Sequence, residues 1–150
     1  MKVLTIFAIL SSFLIFIGCS TTDEDDSNYQ QTQDKNNNQV SKTTVVIDET
    51  VKVAPGSYRA YTLSGIFSTY NFEINSDSDV NVWFLTEENY QLFINDDEFE
   101  YISSATRERV LSFSASYRIM DNKKYYLVLD NQFSIFTSKN VKIKMTRTGM

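Results

Sequence analysis

Few side chains in this sequence could carry out covalent chemistry. Of 150 residues, one is cysteine, Cys19, and none is histidine. The absence of histidine removes the usual general base, the usual proton shuttle and the commonest zinc ligand together. Ser-His-Asp and Cys-His enzymes are therefore excluded, and a single thiol forms no disulfide within a monomer. Carboxylate chemistry remains. Asp77 and Asp79 flank a serine, and Asp96 and Asp97 open an acidic run that continues to Glu98 and Glu100. Oxygen ligands at such spacing suit calcium. They equally suit turns between strands, where short polar side chains bond their own backbone. Neither stretch contains a full Asp-x-Asp-x-Asp-Gly loop. A carboxylate-only glycosidase needs two carboxylates flanking a cleft, and no acidic pair is distinguished by position. Trp83 and Tyr90 offer non-covalent chemistry: stacking on a glycan or anchoring a protein interface. Packing in the interior is the alternative for both.

The elements that must position these groups are mostly strands. Residues 44–53 are β-branched and roughly alternating, with Val45, Ile47, Val51 and Val53 on one face. Pro55-Gly56 turns the chain into a second strand over 57–63. Residues 69–74 alternate, with Tyr70, Phe72 and Ile74 inward. Asn75 to Asp79 reads as a turn, and 80–85 as the next strand, with Val82 and Phe84 inward and Trp83 outward. At Thr86 the period changes. Thr86 can cap a helix whose positive end suits Glu87 and Glu88. Tyr90, Phe93 and Ile94 then share a face, predicting a short helix over the sheet. A weak strand over 99–102, a strong one over 110–119, a doubly apolar one over 124–130 and a last one over 141–147 complete the pattern.

Seven to eight short strands with turn signals about every ten residues predict an all-β, antiparallel β-sandwich with one short helix. Three stretches carry a resemblance to small jelly-roll domains of the pre-peptidase C-terminal type. They are Val53-Ala54-Pro55-Gly56-Ser57-Tyr58, Val80-Asn81-Val82-Trp83-Phe84-Leu85 and Tyr125-Tyr126-Leu127-Val128-Leu129-Asp130-Asn131. The helical stretch 86–94 is not typical of that family. The resemblance implies a jelly-roll-like sandwich and a binding or accessory role, with no catalytic residues.

Before the domain, Met1-Lys2 is followed by an apolar run to Ile17 that matches the layout of a secretory signal peptide. The run is shorter than the roughly 20 residues a spanning helix needs. It closes on Phe16-Ile17-Gly18-Cys19-Ser20, which resembles the lipobox of bacterial lipoproteins, with Phe16 where that motif usually has leucine. The resemblance implies cleavage between Gly18 and Cys19, and a lipid thioether on Cys19 bearing acyl chains such as palmitate. Residues 19–42 then form a polar, Asn/Gln/Asp-rich tether of the composition that stays disordered. The domain organisation is thus a signal segment 1–18, a lipidated tether 19–42 and a β-sandwich 43–150.

Removal of residues 1–18 takes away one cation, Lys2, and leaves 13 basic against 19 acidic residues, a net charge near −6. That argues against nucleic acid and anionic lipid heads as partners, since both demand a basic patch. The expected function is that of a cell-envelope lipoprotein, in the outer membrane if the organism has one. It binds a protein or glycan partner, without catalysis and without a cofactor beyond the calcium weighed at Asp77, Asp79, Asp96 and Asp97. A structural or stress-related envelope component is the alternative, and a carboxylate-only hydrolase a third.

Overall fold

Alternation of apolar and polar residues builds most of what the computed structural model describes, residues 41–149. The readings for residues 1–18, for Cys19 and for the tether up to residue 40 lie outside the described residues. The strands are β1 (Lys42–Val53), β2 (Tyr58–Leu63), β3 (Thr69–Thr86), β4 (Arg107–Arg118), β5 (Tyr125–Asp130) and β6 (Lys139–Gly149). One helix, α1 (Glu87–Ile94), and a single 3-10 turn at Ser103–Ala105 interrupt them. The domain is all-β. Its sheet is antiparallel and continuous, in the order β1-β6-β3-β5-β2, with β4 on the other edge of β3, and it curls into a half-barrel.

The sheet has six strands rather than seven to eight, for two reasons. The expected turn at Asn75–Asp79 lies inside β3, so two expected strands are one. The expected strand at 99–102 is an unpaired segment. It is tied by Ile102 N–H donating to Phe84 O at 2.9 Å and Glu100 N–H donating to Asn89 Oδ1 at 2.8 Å.

β3 organises the fold. Thr69 to Ser76 pair with β6, and Asn81 to Thr86 pair with β5 on the same edge. β4 runs along the opposite edge, and its register slips between Asn75 and Val80 and again before Val82. Such slips mark bulges that bend and twist a strand. A straight strand would separate Phe72 from Phe84 by about 40 Å. Their rings instead stack at 6.1 Å with planes 8° apart. The two halves of β3 therefore face each other across the interior, and one sheet supplies both walls, with corners made by strands that pass from wall to wall.

Inward positions of both walls meet in one core. Tyr70, Phe72 and Ile74 come from the first half of β3, Val82 and Phe84 from the second; Leu127 and Leu129 come from β5 and Val141, Ile143 and Met145 from β6. The two end strands also touch, through Tyr61 O–H of β2 donating to Glu49 Oε1 of β1 at 2.9 Å. On β1 a bulge between Val45 and Ile47 breaks the alternation, so Val45, expected inward, is exposed.

Candidate functional site

The outer face of the β2-β5-β3 wall is apolar, because Trp83, Leu85, Ala60 and Val128 point away from the main core. It is covered by α1 and by the chain after it. Thr86 Oγ1 caps the helix by accepting from Asn89 N–H at 3.3 Å, and Glu87 and Glu88 occupy the first turn. Phe93 and Tyr90 face the sheet; Ile94, expected beside them, is exposed. Asp96 ends the helix in the left-handed region at φ 62°, a conformation Asp tolerates.

This cover corrects the reading of Trp83 as an exposed ligand platform. Trp83 points out of the sheet, as the alternation predicts, but is only 8% exposed. Phe99 packs edge-on at 5.6 Å, and Tyr101 lies at 5.3 Å. Its indole N–H donates to Asp130 Oδ2 at 3.0 Å. Asp130 is itself buried and also accepts from Asn81 Nδ2 at 3.0 Å and Gln132 N–H at 2.8 Å. Trp83 is therefore a bonded interior residue. Tyr90 is half-buried, stacked on Tyr126 at 3.9 Å and set edge-on to Tyr58. Burial, then the neighbouring Tyr58 phenol, pushes its hydroxyl up to about 12. It stays protonated at neutral pH and is no base. A hollow of about 540 Å³ lies at the start of α1, lined by Thr86, Glu87, Glu88, Asn89, Gln91 and Lys123. Neither Trp83 nor Tyr90 lines it.

The acidic candidates are scattered in role. Asp77 accepts from Asn140 N–H at 3.0 Å and from Asn140 Nδ2 at 2.6 Å. Those bonds hold its carboxyl below the usual range. Asp77 is thereby tied into the β3–β6 pairing, with Asp79 beside it exposed on the same bend. Asp96 and Asp97 are exposed at the end of α1. Among the described residues no group of three acidic, cysteine or histidine side chains converges on a point where a metal ion would sit.

A feature the sequence reading passed over is the β5–β6 loop, residues 131–138. Asn131 is buried, and its Nδ2 donates to Val53 O, Ala54 O and Thr137 O at 2.9–3.2 Å. Gly56 N–H donates to Asn131 O and Ser134 O, and Ser134 Oγ donates to Thr137 O at 3.1 Å. The Arg109 guanidinium lies 3.4 Å over the Phe133 ring. This ordered frame holds Ile135 78% and Phe136 90% exposed. The available signal was three apolar residues, Phe133, Ile135 and Phe136, inside a stretch of turn composition.

No protein-family model matches the chain, and no curated protein matches it. Among the described residues no helix is long and apolar enough to cross a membrane.

Proposed function

We propose that this chain is an extracytoplasmic, lipid-anchored protein whose β domain binds a protein or glycan partner without catalysis. The anchor is the lipid on Cys19. The binding element is the β5–β6 loop. The observation that carries the binding role is the pair Ile135 and Phe136, held in water between backbone anchors at Asn131, Ser134 and Thr137. Exposing two large side chains on a rigid frame forgoes about 1.5–3 kcal/mol of burial for each. A rigid apolar tip also loses little entropy on binding, which favours recognition. Absence of histidine supports the non-catalytic reading, as does the engagement of Glu49, Asp77 and Asp130 in structural hydrogen bonds.

Mass spectrometry of the mature protein tests the anchor. Acylated Cys19 at the N-terminus is expected, with Cys19→Ala left unacylated. A mature N-terminus elsewhere refutes it. A photo-crosslinker placed at Phe136 on intact cells, beside glycan arrays, tests the loop. A discrete protein adduct, or glycan binding lost in Phe136→Ser, is expected. Absence of both an adduct and a glycan signal refutes the binding role.

A further inference from the structure

The opposite end of the sheet carries a second exposed cluster. The chain enters the domain at Lys42, which pairs with Gly149, and the same end holds Thr69 between Thr148 and Arg118. Two loops rise over it. Phe67 N–H donates to Ile119 O at 2.8 Å, and Ile119 N–H donates to Ser68 O at 2.9 Å. The β2–β3 and β4–β5 connections are thus tied together, and they expose Ile66, Phe67 and Met120. Phe67 sits at φ 61°. That conformation costs a side-chain-bearing residue about 1–2 kcal/mol, so the ring is held outward against a local preference. Strain of this kind, kept by surrounding bonds, points to use.

Three cations stand around the cluster. Arg147 Nε donates to Ser68 Oγ at 2.9 Å, directly under the first loop. Lys42 and Arg118 stand on β1 and β4 at the same end of the sheet, Arg118 on the face opposite to Arg147. The ion pairs among the described residues are Lys123 with Asp121 and Lys124 with Glu87, and neither involves these three cations. The whole chain has a net charge of −5, yet at this apolar end Lys42, Arg118 and Arg147 outnumber Asp121, which follows Met120 and lies 4.0 Å from Lys123.

We propose that the Lys42 end is a lipid-docking surface: Ile66, Phe67 and Met120 enter the head-group boundary of an anionic membrane while Lys42, Arg118 and Arg147 meet its phosphates. The inference rests on the Cys19 anchor. Along the chain, Lys42 follows Cys19 by 23 residues and Val53, at the far end of β1, by 34, so the Lys42 end is the nearer to that anchor in sequence. Tethering raises the effective concentration to the millimolar range. A patch this small then suffices, because each cation near an anionic surface contributes measurably and apolar insertion adds to it.

The test uses the acylated mature protein with a polarity-sensitive probe on Met120→Cys, compared with the probe on Phe136→Cys. Vesicles are phosphatidylcholine alone or mixed with phosphatidylglycerol. The probe at 120 should turn apolar on the mixed vesicles and the probe at 136 should stay aqueous. Arg118→Gln should reduce the docked population about fivefold. The same chains carrying Cys19→Ser, held by an added polyhistidine tag on a nickel-chelating lipid, separate this inference from the anchor reading. Apolar transfer at 120 on that synthetic tether supports docking even if native Cys19 proves unmodified. An aqueous probe at 120 on both tethers overturns docking even if Cys19 is acylated. A change at 120 that needs added envelope protein overturns it in favour of a protein partner.

Discussion

Trp83 owes its place to Asp130. A buried carboxylate is tolerated when its oxygens are satisfied, and Asp130 gathers the Trp83 indole, the Asn81 amide and the Gln132 N–H. Trp83→Phe keeps most of the packing and removes one charge-assisted bond. It should destabilise the domain by about 2 kcal/mol, read by urea denaturation, with no loss of binding at the β5–β6 loop. The tyrosines make a separate expectation. Tyr61 is pushed up to about 12 by burial and then by Glu49, and Tyr90 to about 12 by burial and Tyr58. The unfolded phenols ionise near 10.0, while the folded ones hold their protons until about 12. The unfolded state thus binds fewer protons in that window, and stability falls as pH rises through it. Below pH 10 these two groups leave stability unchanged. Denaturation across alkaline pH, with tyrosinate absorbance followed in parallel, checks this. At this scale the sequence showed that Trp83 leaves the β3 face used by Val82 and Phe84. It did not show exposure, because facing away from one core is also how a side chain enters a second.

The helix and the long strand show which elements were legible. Thr86, Glu87 and Glu88 announced α1 because capping is chemistry between neighbours in sequence. Its cap is therefore testable by one substitution. Thr86→Ala should cost about 1 kcal/mol and loosen the cover over Trp83, seen as faster hydrogen exchange at residues 87–94. β3 was misread for the opposite reason. Asn75-Ser76-Asp77-Ser78-Asp79 has turn composition, and it does bend the chain. The bend is stitched by Asp77 to Asn140 and by the Ser76 hydroxyl to Ser78 O. Since Asn140 is remote in sequence, no local pattern distinguishes a bend inside a strand from a turn between two. The segment 99–102 failed similarly: Phe99 and Tyr101 cover Trp83, and Ile102 packs on the main core, without extending the sheet.

Across the whole molecule, all-β character followed from the alternating runs, whereas the curl of one sheet into two facing walls did not. That curl depends on Phe72 meeting Phe84, a contact within one strand that periodicity would place far apart. The two ends were likewise illegible, because each gathers residues from separate loops. They should respond oppositely to mutation. Phe72→Ala, in the shared core, should cost about 3–5 kcal/mol. Phe136→Ser, at the exposed tip, should stay within about 0.5 kcal/mol of the parent while abolishing partner binding; parallel thermal melts and crosslinking measure both.

The β1–β6 pairing also has a mechanical meaning. β1 begins at the Lys42 end and β6 begins at the far end, directly after the loop that carries Phe136. Tension between Lys42 and Phe136 pulls these two strands along their lengths in opposite directions. The hydrogen bonds from Lys42–Gly149 to Val53–Lys139 are then loaded in shear and share the force, instead of opening one after another like a zip. A pull transmitted from the tip to the start of the domain thus meets the sheet in its most resistant direction.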